Sequence, residues 1–180
     1  MRVLIIGPLG AGKSTLAYKL NQKLYLPRLN LDEISRNKRT GAYHTPEEQT
    51  KLINDFSKAH PNWVMEGSQK SLYEQTQPDV IVDMRVPRWT AIYRFTLRFI
   101  KAKFLQGQDV DPDLPVQPYH YRPIKLSTIK EWDEANTEIN AQIKDFLDHT
   151  SVPVITCQGY QDHSKVMSYI KQRWLPFNLR

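Results

Sequence analysis

Residues 7–15 read Gly-Pro-Leu-Gly-Ala-Gly-Lys-Ser-Thr, and no other stretch of the chain constrains the fold as strongly. The run matches the pattern Gly-x-x-x-x-Gly-Lys-Ser/Thr without a gap. An apolar, β-branched run at residues 3–6 precedes it, and a helical pattern begins near Lys13. A glycine-rich turn between a strand and a helix lets backbone N–H groups converge on phosphate oxygens. The motif therefore predicts a phosphate-binding loop (P-loop, or Walker A motif).

The nine residues of this run are predicted to hold an ATP-like triphosphate together with Mg²⁺. Lys13 is predicted to be catalytic because its mobile charge can follow the β- and γ-phosphates. The hydroxyl of Ser14 is the predicted metal ligand. The predicted nucleotide-binding residues are Gly7, Pro8, Leu9, Gly10, Ala11, Gly12, Lys13, Ser14 and Thr15.

Strand and helix patterns alternate along the rest of the chain. Apolar runs predict five strands near residues 3–6, 28–31, 63–65, 80–82 and 152–156. Helical patterns separate them. One helix is predicted to start with Thr45 as N-cap, Pro46 in the first turn and Glu48 completing a capping box, followed by an apolar stripe at positions 52, 53, 56 and 59. The alternation of strands and helices is typical of a parallel sheet with helices on both faces. We therefore predict one three-layer α/β/α domain over residues 1–180. A polar loop at residues 106–123 predicts a lid around residues 100–125, because long loops in compact domains are often lids.

Composition sets the broad class of the protein. The chain has 180 residues, 40% of them apolar and 24% charged, which is typical of a globular domain. Its net charge of +6 suits anionic partners such as nucleotides or nucleic acids, but many globular proteins are mildly basic, so charge alone does not decide the partner. Its single cysteine, Cys157, cannot form an internal disulfide, which favours a reducing compartment. The apolar run at the start is too short for a signal peptide core or a membrane span. We expect a cytoplasmic protein without a membrane partner.

The motifs of several nucleotide-binding classes are missing from the sequence. The chain has no Asn-Lys-x-Asp and no Asp-x-x-Gly, which a GTPase needs, and no strand pattern ending in Asp-Glu, which motor and transporter ATPases normally show. The size of the chain and these absences favour a small-molecule kinase.

Three further segments carry a resemblance to a known family. They are Leu-Pro-Arg-Leu-Asn-Leu-Asp at 26–32, Trp-Val-Met-Glu-Gly-Ser at 63–68, and Val-Pro-Arg-Trp at 86–89 with Tyr93, Arg94 and Arg98. In this order they resemble the adenylate-kinase-related DNA topology modulation proteins, also called FlaR-like proteins. The resemblance implies a five-stranded P-loop kinase core with a lid, and the family's label concerns DNA topology. The chain departs from similar kinases at Arg85, where they usually carry Asp, and Asp83 lies two residues earlier.

Two strand ends supply the predicted acceptor site. Asp32 follows the second strand, where a parallel sheet opens its ligand crevice, so it could bind the acceptor, act as a base or hold Mg²⁺ through water. Its alternative role is the N-cap of a helix beginning at Glu33. Glu66 and Gly67 end the third strand at the same edge, and Glu66 could bind an acceptor hydroxyl or be merely solvated.

A basic stripe on the helix after Pro87 supplies the remaining candidates. Arg94, Arg98 and Lys101 recur at helical spacing, and phosphoryl transfer needs cations around the moving γ-phosphate. The resemblance favours catalytic roles for Arg94 and Arg98 over a solvated helix face. Arg88 begins the helix and is predicted either to contact substrate or to lie at the surface.

Three hypotheses about function follow from these patterns. The first is a kinase that transfers the γ-phosphate of Mg·ATP to a small acceptor, such as a nucleotide or another hydroxyl compound. The second is a nucleotide-regulated nucleic-acid-binding protein affecting DNA topology, which is less favoured because the chain has no helix-turn-helix, RNA-binding or zinc motif. The third is a nucleotide-binding member of the fold with little catalysis, which Arg85 motivates.

Overall fold

The computed structural model describes residues 1–35, 43–104 and 126–178, with the side chains at 95, 98–104, 126–129 and 175–178 outside the description. Five strands and six α-helices alternate over this part of the chain. The strands are β1 Arg2–Ile6, β2 Arg28–Asn30, β3 Trp63–Gly67, β4 Val80–Arg85 and β5 Val154–Gln158. The helices are α1 Lys13–Leu24, α2 Pro46–Ala59, α3 Lys70–Tyr73, α4 Arg88–Phe104, α5 Leu126–His149 and α6 His163–Asn178. A 3-10 turn at Tyr160–Asp162 precedes α6.

The five strands form one parallel sheet in the order β2-β3-β1-β4-β5. The central strand β1 pairs with β3, where Ile6 lies opposite Gly67, and with β4, where Ile6 lies opposite Asp83. This register brings the carboxyl ends of three strands to one edge of the sheet. The prediction of an α/β fold with a five-stranded parallel sheet is confirmed.

Each face of the sheet packs against its own helices because the strand side chains alternate between the two faces. Val3 and Ile5 of β1 pack in one core with residues of α1 and α6. Leu4 and Ile6 pack in a second core with residues of α2, α3 and α5. Both cores are built from buried apolar side chains, so β1 is covered on both faces, as is usual for parallel sheets.

The last strand begins later than its sequence pattern indicates. The prediction placed it from residue 152, whereas β5 begins at Val154. Pro153 has no N–H to donate to a ladder, and its carbonyl accepts the N–H of Ile81 instead. The pairing with β4 therefore starts one residue after the proline. The short helix α3 and the 3-10 turn were not predicted.

The start of α2 follows its sequence signal. The Thr45 side chain accepts the N–H of Glu48, and the Glu48 side chain accepts the N–H of Thr45, which is a complete capping box with Pro46 in the first turn. The predicted cap is confirmed. Of the predicted apolar stripe, Ile53 is buried and Phe56 is half-buried, whereas Leu52 and Ala59 are exposed.

The predictions of a lid and of no membrane partner can be compared with the structure only over the described residues. The predicted lid falls mostly on residues 105–125, which lie outside the described residues. Among the helices that are described, none combines the length and the apolar character needed to cross a membrane.

The capping box makes a test of the fold. Replacing Thr45 with Ala removes the acceptor for the Glu48 N–H, so we expect the free energy of unfolding to fall by about 1 kcal/mol. The melting temperature should fall by ~2–4 °C. Thr50→Ala is the matched control, because the Thr50 hydroxyl only donates to Pro46 within the same helix. Equal losses in both variants, measured by urea denaturation, would contradict the role of the cap.

Candidate functional site

The turn between β1 and α1 has a backbone that only glycine tolerates. Gly10 and Gly12 adopt φ angles of 82° and 97°, in the left-handed region. At Gly7, an added Cβ would lie 2.8 Å from both Cβ and the carbonyl oxygen of Met84, which is closer than atoms can approach. We call residues 7–12 the glycine loop. Its conformation is set by the close approach of β4 and by the turn into α1.

Lys13 lies at the centre of the site. Its side chain is only 7% exposed, and its ammonium group donates to three oxygens. Two are the carbonyls of Gly7 and Pro8, at 3.0 and 3.1 Å, and the third is the hydroxyl of Ser68 at 2.7 Å. Burying an ammonium group is costly unless its donors are satisfied, and these oxygens satisfy them. The loop, the start of α1 and the residue after β3 are thereby joined.

The hydroxyl of Ser14 points to the end of β3. It donates to Oε2 of Glu66 at 2.9 Å, and the other carboxylate oxygen of Glu66 accepts from the guanidinium of Arg28 at 3.1 Å. Glu66 is 1% exposed. Burial raises the pKa of this carboxyl, while Arg28, the Ser14 hydroxyl and Lys13 oppose the rise by favouring the charged form. Ser14, Glu66 and Arg28 therefore form one hydrogen-bonded cluster beside the glycine loop.

Asp32 lies where β2 and β3 end. Its Oδ1 accepts the backbone N–H of Ser68 at 2.9 Å. The alternative prediction, that Asp32 caps a helix from Glu33, is wrong, because residues 31–35 form turns. The carboxylate instead accepts the first backbone N–H after β3. The two chain segments are close here: an added Cβ on Gly67 would lie 2.9 Å from Cβ of Leu31. Gly67 therefore permits the contact between Asp32 and Ser68.

Two helices hold the outer side of the glycine loop. Nη1 of Arg94 on α4 donates to the carbonyls of Gly10 and Ala11 at 3.2 and 3.3 Å. From α5, Oδ1 of Asn136 accepts the N–H of Leu9 at 2.8 Å. Of the predicted basic stripe, Arg94 thus reaches the loop, while the side chains of Arg98 and Lys101 lie outside the described residues.

Arg88 lies at the surface, where it pairs with α5. Its guanidinium makes two hydrogen bonds of 2.6 and 2.5 Å to the carboxylate of Asp133 on α5. The side chain of Arg88 is 67% exposed, so this pair contributes little to stability. Arg88 thus connects the start of α4 to α5, and it lines a cavity together with Pro8 and Asn136. Its predicted contact with substrate stays a prediction.

Arg85, the position where similar kinases usually carry Asp, is paired with the neighbouring acid Asp83. Nε of Arg85 donates to Oδ2 of Asp83 at 2.6 Å, so the two residues form an ion pair at the end of β4. Asp83 is 2% exposed, and no residue in the described part of the chain makes a hydrogen bond to its Oδ1. Burial raises the pKa of this carboxyl, and Arg85 partly opposes the rise. Asp83 is thus a buried acid at the end of β4, on the same edge of the sheet as the glycine loop.

Three residues of the site were missed by sequence reasoning: Arg28, Ser68 and Asn136. Ser68 carried a weak signal, because it directly follows the strand-end residues that were singled out. Asn136 carried a stronger one, because it is a polar residue in the apolar stripe of α5 between Trp132 and Ile143. Arg28 carried none, because its partner Glu66 lies on a different strand.

No protein-family model matches the chain, and no curated protein matches it. The resemblance to the DNA topology modulation proteins stays a prediction from the residues quoted above. The function is accordingly argued from the geometry of the site.

Asp83 makes a pH test of the site. Because its pKa is raised in the folded protein, the folded state binds more protons than the unfolded state between the usual pKa of 3.8 and the raised pKa. Stability contributed by this group therefore falls as pH rises through that window. We expect Asp83→Asn to remove this loss, so that the variant gains stability relative to the wild type as pH rises above 3.8.

The measurement is the difference in free energy of unfolding between the two proteins, by urea denaturation at several pH values. The ion pair with Arg85 forms only as Asp83 ionises, so its favourable contribution is already contained in the raised pKa, and the slope carries the test. A slope of zero or of opposite sign would contradict the burial of a charged carboxylate.

Proposed function

We propose that this chain is a P-loop kinase that transfers the γ-phosphate of Mg·ATP to a small acceptor carrying a hydroxyl group. The observation that carries the proposal is the glycine loop between a buried central strand and α1, whose carbonyls hold the ammonium group of Lys13, with Ser14 in the first turn of α1. Phosphate groups bind at such loops because backbone N–H groups and the helix N-terminus favour negative charge. The fold proposed is therefore the P-loop nucleoside triphosphate hydrolase fold, resembling adenylate kinase.

Lys13 is proposed to bind the β- and γ-phosphates. Its ammonium group is held by the carbonyls of Gly7 and Pro8 and by Ser68, all of them neutral oxygens. Charged phosphate oxygens make stronger hydrogen bonds than neutral oxygens do. A bound triphosphate would therefore compete well for this group, whose stem is long enough to turn toward it.

The oxygens of Ser14 and Glu66 fit Mg²⁺. This ion prefers oxygen ligands and usually takes one or two from the protein, with the rest from phosphates and water. The Ser14 hydroxyl lies 2.9 Å from Oε2 of Glu66, so both could hold a hydrated ion, while Arg28 keeps the carboxylate in place. When bound, Mg²⁺ neutralises charge on the β- and γ-phosphates. We assign Glu66 to the metal in preference to the acceptor because its oxygens face Ser14 and Arg28.

Asp32 is proposed as the residue that receives the acceptor. Ser68 fixes its Oδ1, so the carboxylate is oriented at the edge where β2 and β3 end. In the transfer, the acceptor oxygen forms a bond to the γ-phosphorus, the bond from that phosphorus to the β,γ-bridging oxygen breaks, and ADP leaves. The hydroxyl proton of the acceptor passes to Asp32, which acts as general base.

Arg94 is proposed to stabilise the charge of the transferring phosphate. Its guanidinium already contacts the glycine loop through two carbonyls, and the planar guanidinium group matches the geometry of phosphate oxygens. Arg98 is proposed for the same role on the basis of the resemblance alone.

A cytoplasmic location is proposed as well. The single cysteine, a free and buried thiol, is compatible with it.

Lys13 gives the first test of this function. We expect Lys13→Ala to weaken Mg·ATP binding at least tenfold, measured by isothermal titration calorimetry, and to abolish ATP consumption in a screen over nucleosides, nucleotides and sugars. Lys23→Ala is the matched control, because Lys23 is an exposed residue in the last turn of the same helix. A folded Lys13→Ala protein that binds and turns over ATP like the control would overturn the assignment.

Salt dependence separates a kinase from a nucleic-acid-binding protein. A protein held by many DNA phosphates releases counterions, so its affinity falls steeply as salt rises. A buried site for one nucleotide is screened much less. We expect Mg·ATP binding to change little with salt, and binding of a labelled DNA duplex to be lost near physiological salt. Tight duplex binding at physiological salt that responds to Mg·ATP would contradict the kinase proposal.

A further inference from the structure

The contact between Leu9 and Asn136 is not accounted for by the Gly-x-x-x-x-Gly-Lys-Ser/Thr motif. Oδ1 of Asn136 accepts the N–H of Leu9 at 2.8 Å, and Nδ2 donates to the carbonyl of Leu9 at 3.4 Å. The amide side chain therefore pairs with both polar groups of one backbone residue. The two partners are 127 positions apart in the chain.

Packing alone does not explain an asparagine at this position of α5. Asn136 is 7% exposed, and the neighbouring turns of the helix bury Trp132 and Ile143. An apolar residue at position 136 would continue the stripe, whereas a buried amide costs free energy unless it is hydrogen-bonded. Within the described residues, the two hydrogen bonds of the Asn136 side chain both go to Leu9, so an amide at this position serves the loop and not the packing of the helix.

Peptide geometry connects this contact to the phosphate site. In a planar trans peptide, the carbonyl of one residue and the N–H of the next point in opposite directions. Asn136 draws the carbonyl of Leu9 toward α5, which turns the N–H of Gly10 away from that helix. Arg94 acts in the same way on the carbonyl of Ala11, and so on the N–H of Gly12, while the N–H of Ala11 donates to the carbonyl of Pro8 within the loop.

We propose that Asn136 is a positioning residue that orients the glycine loop for phosphate binding by holding the peptide groups of Leu9. This inference rests on the proposed function and adds that α5 helps to orient the phosphate-binding loop. Without the amide, the peptides on either side of Leu9 can rotate, and a carbonyl oxygen that turns toward a phosphate repels it. Preorganised N–H groups bind the anion without this cost.

The test uses two variants of the full chain and Mg·ATP as the probe. Asn136→Ala removes the amide, and Asn136→Leu removes it while keeping most of the side-chain volume. We expect each to weaken Mg·ATP binding about tenfold in calorimetric titrations, because two hydrogen bonds that order the loop are lost. The titrations are run well below the melting temperature of each variant, so that only folded protein is measured.

The control is Asn140→Ala, one turn further along α5. Asn140 is exposed and makes no hydrogen bond to the glycine loop within the described residues. We expect this variant to bind Mg·ATP like the wild type. A residue that only stabilised the fold would lower the melting temperature without changing the affinity of the folded protein, and that result at position 136 would overturn the inference.

Failure of the inference and failure of the proposed function give different results. If the wild type binds Mg·ATP, Lys13→Ala does not, and both Asn136 variants bind as tightly as the wild type, the positioning role is wrong and the kinase proposal stands. If the wild type itself does not bind Mg·ATP, the proposed function is wrong and the inference falls with it.

Discussion

The buried ammonium group of Lys13 is the constraint on which the site depends. Its side chain is 7% exposed, and a charge in this position needs oxygens arranged around it. The carbonyls of Gly7 and Pro8 and the hydroxyl of Ser68 supply them. The glycine loop must therefore curl over the start of α1, and β3 must end where Ser68 reaches the same point.

The order of the strands makes this arrangement possible. With β1 in the centre of the sheet, the glycine loop that follows it is flanked by the ends of β3 and β4. β3 places Glu66 beside Ser14, and the short strand β2 places Asp32 against Ser68. A chain of hydrogen bonds thus runs from Asp32 through Ser68 to Lys13. In the proposed reaction this chain links the base that receives the acceptor to the cation that binds the phosphates.

Local patterns were sufficient to predict most of the fold. The strand before Gly7, the start of α1 at Lys13 and the capping box at Thr45 each depend on residues close together in sequence, and the structure has them as predicted. The start of β5 was placed two residues early because the apolar run continues through Pro153. Whether a strand pairs there depends on the missing N–H of that proline, not on hydrophobicity.

Contacts between distant residues could not be read in the same way. Ser68 lies 55 positions from Lys13, and Asn136 lies 127 positions from Leu9. No periodicity relates such partners, so only the fold brings them together. The position of Asp32 also depends on distant residues. Its local sequence is compatible with a helix cap, whereas the structure has turns at 31–35 and a hydrogen bond from the N–H of Ser68 to its carboxylate.

The central claim is that the glycine loop binds the phosphates of Mg·ATP through its backbone. The most direct measurement is a titration of ¹⁵N-labelled protein with Mg·ATP, followed by the backbone amide resonances. The account predicts the largest shifts at Gly10, Gly12, Lys13 and Ser14, with smaller shifts at Glu66 and Ser68 and none at the exposed residues of α2. Saturable binding that leaves the amides of residues 7–15 unchanged would contradict it.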